Sequence, residues 1–303
     1  MGMKPDSLLI VGTGALATLF AHRLVAAGVD VTLLGAWREG LSALQQHGAR
    51  LAGVERSSAV RVAEKAEDCL GTKTALVLVK AWQTERIAGQ LVDCLDDDGL
   101  ALTLQNGLGN QETLTRALGE QRVGLGVTTL GANLIEPGLV QMGGEGRVIL
   151  EKQAHLARLQ AMLEAAGFLV EVMEDAQSFV WGKLVISAAL NPLTALLRVP
   201  NGELLERPQA HRLMGELARE TAEVARSRAV RLPFTSPEEA VEQVARKTAG
   251  NRSSMLQDVL RGAPTEIDAI NGAVVQRGEA AGVPVTANRL VWALVKALLP
   301  PKK

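Results

Sequence analysis

The glycine-rich turn near the start of the chain constrains the fold more than any other feature of the sequence. The run LLIVGTGALATLFAHRL places Gly12, Gly14 and Ala17 at the spacing GxGxxA, after an apolar strand and at the opening of a helix. Gly12 permits a tight turn, Gly14 leaves room for a pyrophosphate, and the small third residue lets helix and strand pack closely. The phosphates would meet backbone N–H groups at the positive end of the helix. We predict a dinucleotide site, with a glycine turn in an unrelated α/β protein as the alternative.

The rest of the first half alternates short apolar runs with helical stretches. SLLIV, VDVTLL, TALVLV and LALTLQ are typical of buried parallel strands, and a helix over residues 16–27 joins the first two. The segments VGLGVTTLGA, LVQMG and RVILE predict further strands, partly antiparallel, with a turn at Pro137-Gly138. This pattern predicts an α/β, Rossmann-type dinucleotide-binding domain over residues 1–174.

After about Glu174 the sequence becomes almost continuously helical. The stretch begins with DAQSFVWGKLVISAALNPLTALLRV and ends with VTANRLVWALVKALL, with connections expected at residues 200–202 and 231–237. We predict an all-helical substrate and catalytic domain over residues 175–303. A chain of 303 residues is long enough for two such domains. No apolar run of the length needed to span a membrane stands out.

Composition narrows the range of partners. The net charge is −1 and the basic residues are scattered, so we expect a small-molecule substrate and neither nucleic acid nor a membrane. Absence of tyrosine excludes a tyrosine general acid.

Cys69 and Cys94 are predicted as buried packing residues, and no metal site is predicted. The first strand begins at Ser7, too early for a signal peptide, which favours a cytoplasmic location. The sequence leaves open whether the protein forms a homodimer.

The end of the second predicted strand bears on the choice between NAD and NADP. That strand ends at Leu34-Gly35 without the carboxylate that would bind ribose hydroxyls, and Arg38 follows within reach of a 2′-phosphate. NADP (NADPH) is therefore the predicted cofactor. The neighbouring Glu39, and the ordinary occurrence of a solvated arginine at such a position, leave the choice open.

Two further residues follow the ends of later strands. Lys80 comes after TALVLV and Asn106 after LALTLQ. The carboxyl ends of parallel strands form the edge at which open sheets bind ligands, so we expect both residues near the nicotinamide half. The alternative is that each is only a turn residue.

Three polar residues recur at every fourth position of an apolar helix that begins near Ser178. These are Lys183, Ser187 and Asn191, which form one stripe on the helix. A buried stripe needs hydrogen-bond partners, and a polar substrate would supply them. The alternative is a solvated helix face. Because Pro192 cannot donate a bond to the preceding turn, we expect the helix to kink or restart there.

A second polar group lies in the segment NRSSMLQDVLRGAPTEIDAING. Its polar members are Asn251, Ser253, Ser254, Asp258, Glu266, Asp268 and Asn271. We expect Glu266 to follow a helix start at Pro264-Thr265, where the helix dipole alone favours an acid. That structural role and a catalytic role are both compatible with the sequence.

Five motifs together resemble the ketopantoate reductase family over essentially the whole chain. They are GTGALA, VKAWQ around Lys80, QNGLGN around Asn106, the run WGKL…NPLTAL…VPNGEL, and SSMLQD…TEIDAINGAV. The last two are specific, since no generic Rossmann protein carries them. The resemblance implies NADPH-dependent reduction of 2-dehydropantoate (ketopantoate) to pantoate in pantothenate biosynthesis.

The resemblance also implies roles for individual residues. Lys183 would be the general acid, protonated at neutral pH if its pKa is near the ordinary value of about 10.4, and Glu266 would assist it or hold the cofactor ribose. The implied cofactor-binding residues are Gly12, Thr13, Gly14, Ala15, Leu16, Ala17, Arg38, Lys80, Asn106, Ala132 and Glu266. The implied substrate-binding residues are Asn106, Lys183, Ser187, Asn191, Asn201, Asn251 and Ser254.

Two departures from the family pattern keep other interpretations open. The family commonly has asparagine where this chain has Ser187, and its arginine after the second strand aligns with either Trp37 or Arg38. One alternative is a related reductase of another branched 2-oxo acid. Another is a non-catalytic dinucleotide-sensing protein, against which Lys183 and Glu266 argue.

Overall fold

The computed structural model describes residues 7–298, which separate into two compact units. The first unit comprises residues 7–105 and Asn110–Ala176, and the second comprises Asn106–Gly109 and residues 177–298. The short segment Asn106–Gly109 therefore packs with the helical unit although it lies between elements of the first. No shift in composition marks this segment in the sequence.

The first unit is built on a twisted sheet of mainly parallel strands. From one edge to the other, the strands described are β11 (Leu169–Met173), β10 (Arg147–Glu151), β7 (Val123–Thr128), β6 (Leu95–Thr103), β5 (Thr72–Val77), β1 (Ser7–Val11), β2 (Asp30–Leu34) and β4 (Arg61–Ala63). Each neighbouring pair is parallel except β7 with β10. A smaller sheet of β3 (Arg50–Leu51), β9 (Leu139–Met142) and β8 (Ala132–Glu136) packs against the first helix.

Helices cover both faces of the large sheet. They are α1 (Ala15–Ala26), α2 (Arg38–His47), α3 (Thr84–Cys94), α4 (Asn110–Leu118) and α5 (Ala157–Ala165). In β1, Leu8 and Ile10 join one apolar cluster while Leu9 and Val11 join another, as the two-residue period of a strand requires. Burial on both faces explains why the strand is an uninterrupted apolar run.

The two cysteines lie inside the apolar cluster that contains Leu9 and Val11. Cys69 and Cys94 are both buried and unoxidised, which confirms their predicted packing role. Burial raises the pKa of Cys69 to about 11 and that of Cys94 to about 12. Both thiols are therefore uncharged at neutral pH and unsuited to nucleophilic chemistry.

The second unit is all helical, and the predicted fold class is confirmed. Its helices are α6 (Gln177–Leu197), α7 (Glu203–Glu206), α8 (Pro208–Ser227), α9 (Pro237–Lys247), α10 (Ser254–Leu260), α11 (Ala273–Ala281) and α12 (Thr286–Leu298). The long helix α6 is central, because α8, α9, α10 and α12 all pack against it. Apolar side chains of α6 contribute to two clusters within this unit.

Helix α6 differs from expectation in two respects. Of the expected kink or restart at Pro192, the restart is wrong, because α6 continues as one helix to Leu197; the kink stays a prediction. It is also long and apolar enough to cross a membrane, with a mean hydropathy of 1.4 over its best window, although 61% of that window is buried. The polar stripe beginning at Lys183 interrupts the apolar run and hides this property in the sequence. The packing of α6 against four helices identifies it as the core of the unit.

The turn after β1 requires glycine at one position only. Gly12 has a φ of +130°, and a Cβ there would lie 3.2 Å from the backbone carbonyl carbon and oxygen of Leu78. Gly14 has a φ of −84°, and a Cβ there would meet no atom within 4 Å. The two glycines therefore have different physical reasons for being glycine.

We predict that Gly12→Ala lowers the free energy of unfolding by about 1–3 kcal/mol, because alanine would be strained at this φ and crowded by Leu78. Gly14→Ala is the matched control and should remain within about 0.5 kcal/mol of the parent, as is usual away from buried features. Urea unfolding of the three proteins without added ligand measures both effects. Equal stability of Gly12→Ala and the parent would contradict this description of the turn.

Candidate functional site

The predicted glycine turn lies where the ends of three strands converge. The Gly12 N–H donates to the carbonyl of Leu34 at the end of β2 (2.8 Å), and the Leu78 N–H donates to the carbonyl of Val11 (2.9 Å). Helix α1 then begins with Gly14 as its N-cap. N–H groups in the first turn of a helix have no partner within that helix, so they are available to an anion.

Open space over this helix start fits the pyrophosphate of a dinucleotide. Gly14 is exposed, and the region that its missing side chain would occupy is empty to 4 Å. Ala17, one turn further, is fully buried between helix and sheet. Of the other predicted residues here, Thr13 is buried, while Ala15 and Leu16 are half-buried.

The segment after β2 places a basic residue and no carboxylate next to the strand end. Gly35 follows the strand, and a Cβ on it would lie 2.8 Å from the Thr13 side chain, so a larger residue would require Thr13 to shift. Trp37 is the N-cap of α2 and packs on Gly40, while Arg38 is the first residue of the helix and is exposed. Between the two residues that align with the family arginine, Arg38 is therefore the one that offers an exposed cation.

The loops after β5 and β6 are tied together by a buried hydrogen-bond network that the sequence analysis missed. The Gln105 amide donates to the Val79 carbonyl (3.0 Å) and to the Thr84 hydroxyl (2.8 Å). The Thr84 hydroxyl in turn donates to Asn110 Oδ1 (2.9 Å). Thr84 and Asn110 are 3% and 6% exposed, whereas Gln105 is half-buried. Polar residues in and just after the loops that follow two neighbouring strands were the signal that could have revealed this network.

Two further predicted cofactor residues have less distinctive settings. Lys80 is half-buried at the start of a short 3₁₀ turn after β5, and its N–H donates to Gln83 Oε1 (3.3 Å). Ala132 begins β8, in the small sheet that packs against α1. Neither position contradicts the predicted role, and neither supplies a specific ligand contact.

In the second unit, the predicted polar stripe lies on α6 between buried apolar residues. Lys183, Ser187 and Asn191 are half-buried, whereas Leu184 and Ala188 beside them are buried. The Ser187 hydroxyl and the Asn191 amide bond to no other residue in the described part of the chain. Both groups are therefore available to a ligand.

Glu266 and Asn106 come together in the same unit. Glu266 is only 5% exposed, and the Asn106 amide donates to its Oε2 (3.3 Å). Leu108, two residues further, donates its N–H to the Ala269 carbonyl (2.9 Å). Residues after β6 thus border the segment that carries the predicted acid.

The electrostatics of Lys183 depend on this buried acid. Desolvation by burial lowers the pKa of Lys183 to about 8, and the charge of Glu266 opposes that effect by raising it. The expected pKa near the ordinary lysine value is therefore wrong, because the stripe lies in an apolar setting. Lys183 is still mainly protonated at pH 7 and can both carry and release a proton near neutrality.

The local structure around Glu266 also differs from expectation. Glu266 does not open an α-helix after Pro264-Thr265. It precedes a π-helical turn over Asp268–Gly272, and its carbonyl accepts bonds from the N–H groups of Ala269 (3.1 Å) and Ile270 (3.0 Å). Single π-turns occur often at functional sites. This helical segment continues directly into α11, so the dipole at its N-terminal end still favours an acid at this position.

The remaining predicted substrate residues fall into two groups. Asn201 and Asn251 join neighbouring loops, since the Asn201 N–H donates to the Asn251 carbonyl (3.0 Å) and the Asn201 amide donates to Thr248 (2.8 Å). Ser254 begins α10 beside Ser253, whose hydroxyl lies 2.7 Å from that of Thr194 on α6. Asn201 therefore joins these loops, and its buried Oδ1 has no hydrogen-bond partner among the described residues. Ser254 begins a helix that packs on α6, which carries the stripe.

Other kinds of site find little support in the described part of the chain. No group of three or more histidine, cysteine, aspartate and glutamate residues there could hold a metal ion. A cavity of about 550 Å³ is lined mainly by α8 and residues 235–238, and contains none of the predicted site residues. The stripe on α6 with Glu266 thus remains the strongest candidate for chemistry in the second unit.

Comparison with known proteins gives matches over nearly the whole chain. Residues 8–154 match the family Ketopantoate reductase PanE/ApbA, and residues 175–299 match Ketopantoate reductase PanE/ApbA C terminal. The chain is 35% identical to the 2-dehydropantoate 2-reductase of Archaeoglobus fulgidus, over 98% of this chain and 99% of that protein. It is 32% identical to the 2-dehydropantoate 2-reductase of Pyrococcus horikoshii, over 96% of each.

Solved structures give the same fold with two different activities. A PanE/ApbA family ketopantoate reductase from Ralstonia eutropha JMP134 aligns with a TM-score of 0.89 at 32% identity, covering 96% of this chain and 98% of that one. D-mandelate dehydrogenase, solved with NADH and anilino(oxo)acetate, aligns with a TM-score of 0.91 at 25% identity and the same coverage. These relatives support an oxidoreductase that uses a nicotinamide dinucleotide. Since both halves match and the relatives cover the full length, this chain belongs to the ketopantoate reductase PanE/ApbA family.

Proposed function

We propose that this protein reduces ketopantoate to pantoate with NADPH, as a step of pantothenate biosynthesis, and that Lys183 donates the proton. The observation that carries this proposal is the Lys183 ammonium, desolvated in the helical unit and influenced by the buried Glu266. A cation at the edge of an apolar setting stabilises an oxyanion more than a solvated cation does. The names of the full-length relatives supply the substrate.

The glycine turn of the first unit suits the cofactor that the family uses. The open start of α1 would hold the pyrophosphate, and Lys80 would lie toward the nicotinamide half. When bound, the nicotinamide supplies hydride to the carbonyl carbon of the substrate. The residues of this chain then have to orient the substrate and deliver one proton to its carbonyl oxygen.

Lys183 is the residue suited to that proton transfer. With its pKa lowered to about 8, it is protonated at neutral pH yet gives up the proton more readily than an ordinary lysine. Its charge would be most favourable when negative charge develops on the carbonyl oxygen. Glu266 keeps the ammonium charged against the cost of desolvation, and the Asn106 amide holds the Glu266 carboxylate.

Hydroxyl and amide groups along α6 and at the start of α10 would orient the substrate. Ser187 and Asn191 lie one and two helical turns beyond Lys183, and Ser254 begins α10, which packs on α6. Such groups suit the hydroxyl and carboxylate of a 2-oxo acid such as ketopantoate. Asn251 and Asn201 would support this region from the adjoining loops.

A second candidate function is reduction of a different 2-oxo acid. The observation that favours it is the likeness to D-mandelate dehydrogenase. Ser187 is shorter than the asparagine common in the family, and the extra room would accept a substrate with another side chain.

A dinucleotide sensor without turnover is the third interpretation, and any substantial reductase activity excludes it.

NADPH is proposed over NADH because of the segment after β2. Arg38 is exposed at the first residue of α2, and Gly35 offers no carboxylate. An arginine beside a helix N-terminus suits a 2′-phosphate, and the one acid in the first turn of α2, Glu39, follows Arg38. We further propose a cytoplasmic enzyme of small molecules that binds neither nucleic acid nor membrane; homodimer formation is compatible with this proposal.

The substrate proposal is tested by kcat/KM for ketopantoate beside phenylglyoxylate, 2-oxoisovalerate and pyruvate. We expect ketopantoate to be the best substrate.

Ser187→Ala should raise KM for ketopantoate about fivefold, the equivalent of about 1 kcal/mol for one neutral hydrogen bond, with a smaller effect on kcat. Ser187→Asn should retain or improve activity with ketopantoate. If another acid is preferred and Ser187→Asn abolishes activity, the second candidate function replaces the first.

The cofactor proposal is tested by kcat/KM for NADPH and NADH in the parent and in Arg38→Glu. We expect the parent to prefer NADPH and the variant to shift toward NADH by about tenfold or more, because attraction for the 2′-phosphate becomes repulsion. Arg158→Glu makes the same charge change on α5 of the same unit and should leave the preference unchanged. An unchanged preference in Arg38→Glu would assign the choice to another residue.

A further inference from the structure

Pro192 leaves one carbonyl of helix α6 without its usual partner. In an α-helix the N–H of each residue donates to the carbonyl four positions earlier, and proline has no N–H. Ala188 is four positions before Pro192, so its carbonyl loses that bond. Both residues are buried, and an unpaired buried carbonyl is costly. Something other than the helix itself must satisfy Ala188.

The side chain of Asn271 supplies the missing donor. Its Nδ2 donates to the Ala188 carbonyl at 2.9 Å, and Asn271 is 0% exposed. This bond explains why α6 continues through Pro192 to Leu197 and does not restart. A side chain distant in sequence thus takes the place of a backbone N–H.

The orientation of the Asn271 amide is determined by groups that can only accept. Its Nδ2 also donates to Asn288 Oδ1 (2.9 Å), and Asn288 Nδ2 donates to the carboxylate of Glu220 (2.8 Å). The same carboxylate accepts the N–H groups of Ala287 and Asn288 (both 2.9 Å) at the start of α12. Because a carbonyl and a carboxylate stand at the two ends, only one orientation of the two amides makes these bonds, and it leaves Asn271 Oδ1 without a hydrogen-bond partner among the described residues.

The backbone that carries Asn271 is also specifically held. Asn271 lies in the π-helical turn, where the Gly272 N–H donates to the Ile267 carbonyl (3.0 Å). A Cβ on Gly272 would lie 2.9 Å from the indole nitrogen of Trp292, which itself donates to Asp268 (2.7 Å). The extra residue of a π-turn changes the direction of the side chains that follow it. The turn therefore aims Asn271 at α6.

The bond joins the two segments that carry the proposed chemistry. Ala188 directly follows Ser187 on the helix that bears Lys183. Asn271 lies shortly after Glu266, at the far end of the same π-turn. The register of α6 relative to the Glu266 segment is therefore fixed at a buried point close to both groups.

We infer that Asn271 is a positioning residue for the reaction, whose amide replaces the N–H missing at Pro192 and holds Lys183 in place relative to Glu266. This inference rests on the proposed function of Lys183. Loss of the donor leaves the Ala188 carbonyl unsatisfied, and α6 can recover a partner only by shifting at Pro192. Lys183 then moves relative to the carboxylate that keeps it charged.

The test is a double-mutant cycle of Asn271→Leu with Pro192→Ala. Leucine has nearly the shape of asparagine but no donor, and alanine at position 192 returns a backbone N–H to Ala188. In the parent, which has Pro192, we expect Asn271→Leu to lower kcat about tenfold, with little change in KM for the cofactor. Against the Pro192→Ala background the same change should lower kcat less than threefold, because the carbonyl is again satisfied. Thr72→Val, which removes a buried hydroxyl bonded to the Cys69 carbonyl (2.6 Å) in the first unit, controls for loss of stability and should leave kcat unchanged.

A readout independent of turnover separates this inference from the proposed function. The pH dependence of Lys183 acetylation, measured by mass spectrometry on the full chain, reports protonation of Lys183 whether or not the enzyme reduces ketopantoate. Asn271→Leu should move that titration to lower pH, Pro192→Ala should restore it, and Thr72→Val should not change it. If the parent does not reduce ketopantoate but the Lys183 titration shows this pattern, the proposed function is wrong and the positioning role of Asn271 is supported.

Three results would overturn the inference. The first is an equal effect of Asn271→Leu on kcat and on the Lys183 titration in both backgrounds. The second is a less stable Asn271→Leu protein with the parent's kcat and titration. The third is failure of Asn271→Leu to fold in both backgrounds. In that case the N–H that Pro192→Ala returns to Ala188 would not compensate for the lost Asn271 amide. Folding of the variant only in the Pro192→Ala background would support it.

Discussion

The balance between desolvation of the Lys183 ammonium and the charge of Glu266 is the interaction on which the proposed site depends. Burial alone would favour a neutral lysine, and the buried carboxylate restores part of the cation's stability. A lysine held in this way is charged at neutral pH but close to releasing its proton. The surrounding helices maintain this condition, because α6 is buried by four neighbours and Glu266 receives a bond from Asn106.

The contributions of the two units follow from their secondary structure. In the first, parallel strands end together, so the turn after β1 lies beside the loops after β2 and β5, and an open helix start faces an empty region. In the second, one long helix presents polar groups at four-residue spacing against an apolar background. Backbone N–H groups suit phosphates, and side chains of several kinds suit a substrate with a carbonyl, a hydroxyl and a carboxylate.

Local patterns predicted the fold well, and long-range bonds account for what they missed. SLLIV followed by GTGALA identifies β1, the turn and α1, because each depends on neighbours in sequence. The bond from Asn271 to the carbonyl that Pro192 leaves without its usual partner could not be predicted, since the two residues are distant in the chain. The network of Gln105 with Thr84, and the π-turn after Glu266, likewise depend on contacts that periodicity does not encode. The stripe of Lys183 was visible in sequence, but its lowered pKa required the packing.

The most direct test of Lys183 as proton donor is the pH dependence of kcat for ketopantoate reduction in the parent, Lys183→Ala and Glu266→Gln. We expect turnover of the parent to fall as the pH rises through about 8, where Lys183 loses its proton. In Glu266→Gln the fall should begin at lower pH, because the charge that raises the lysine pKa is gone. Lys183→Ala should lose turnover by about 10²- to 10⁴-fold, the range typical of a general acid. A folded Lys183→Ala protein with the parent's turnover and pH profile would contradict this role.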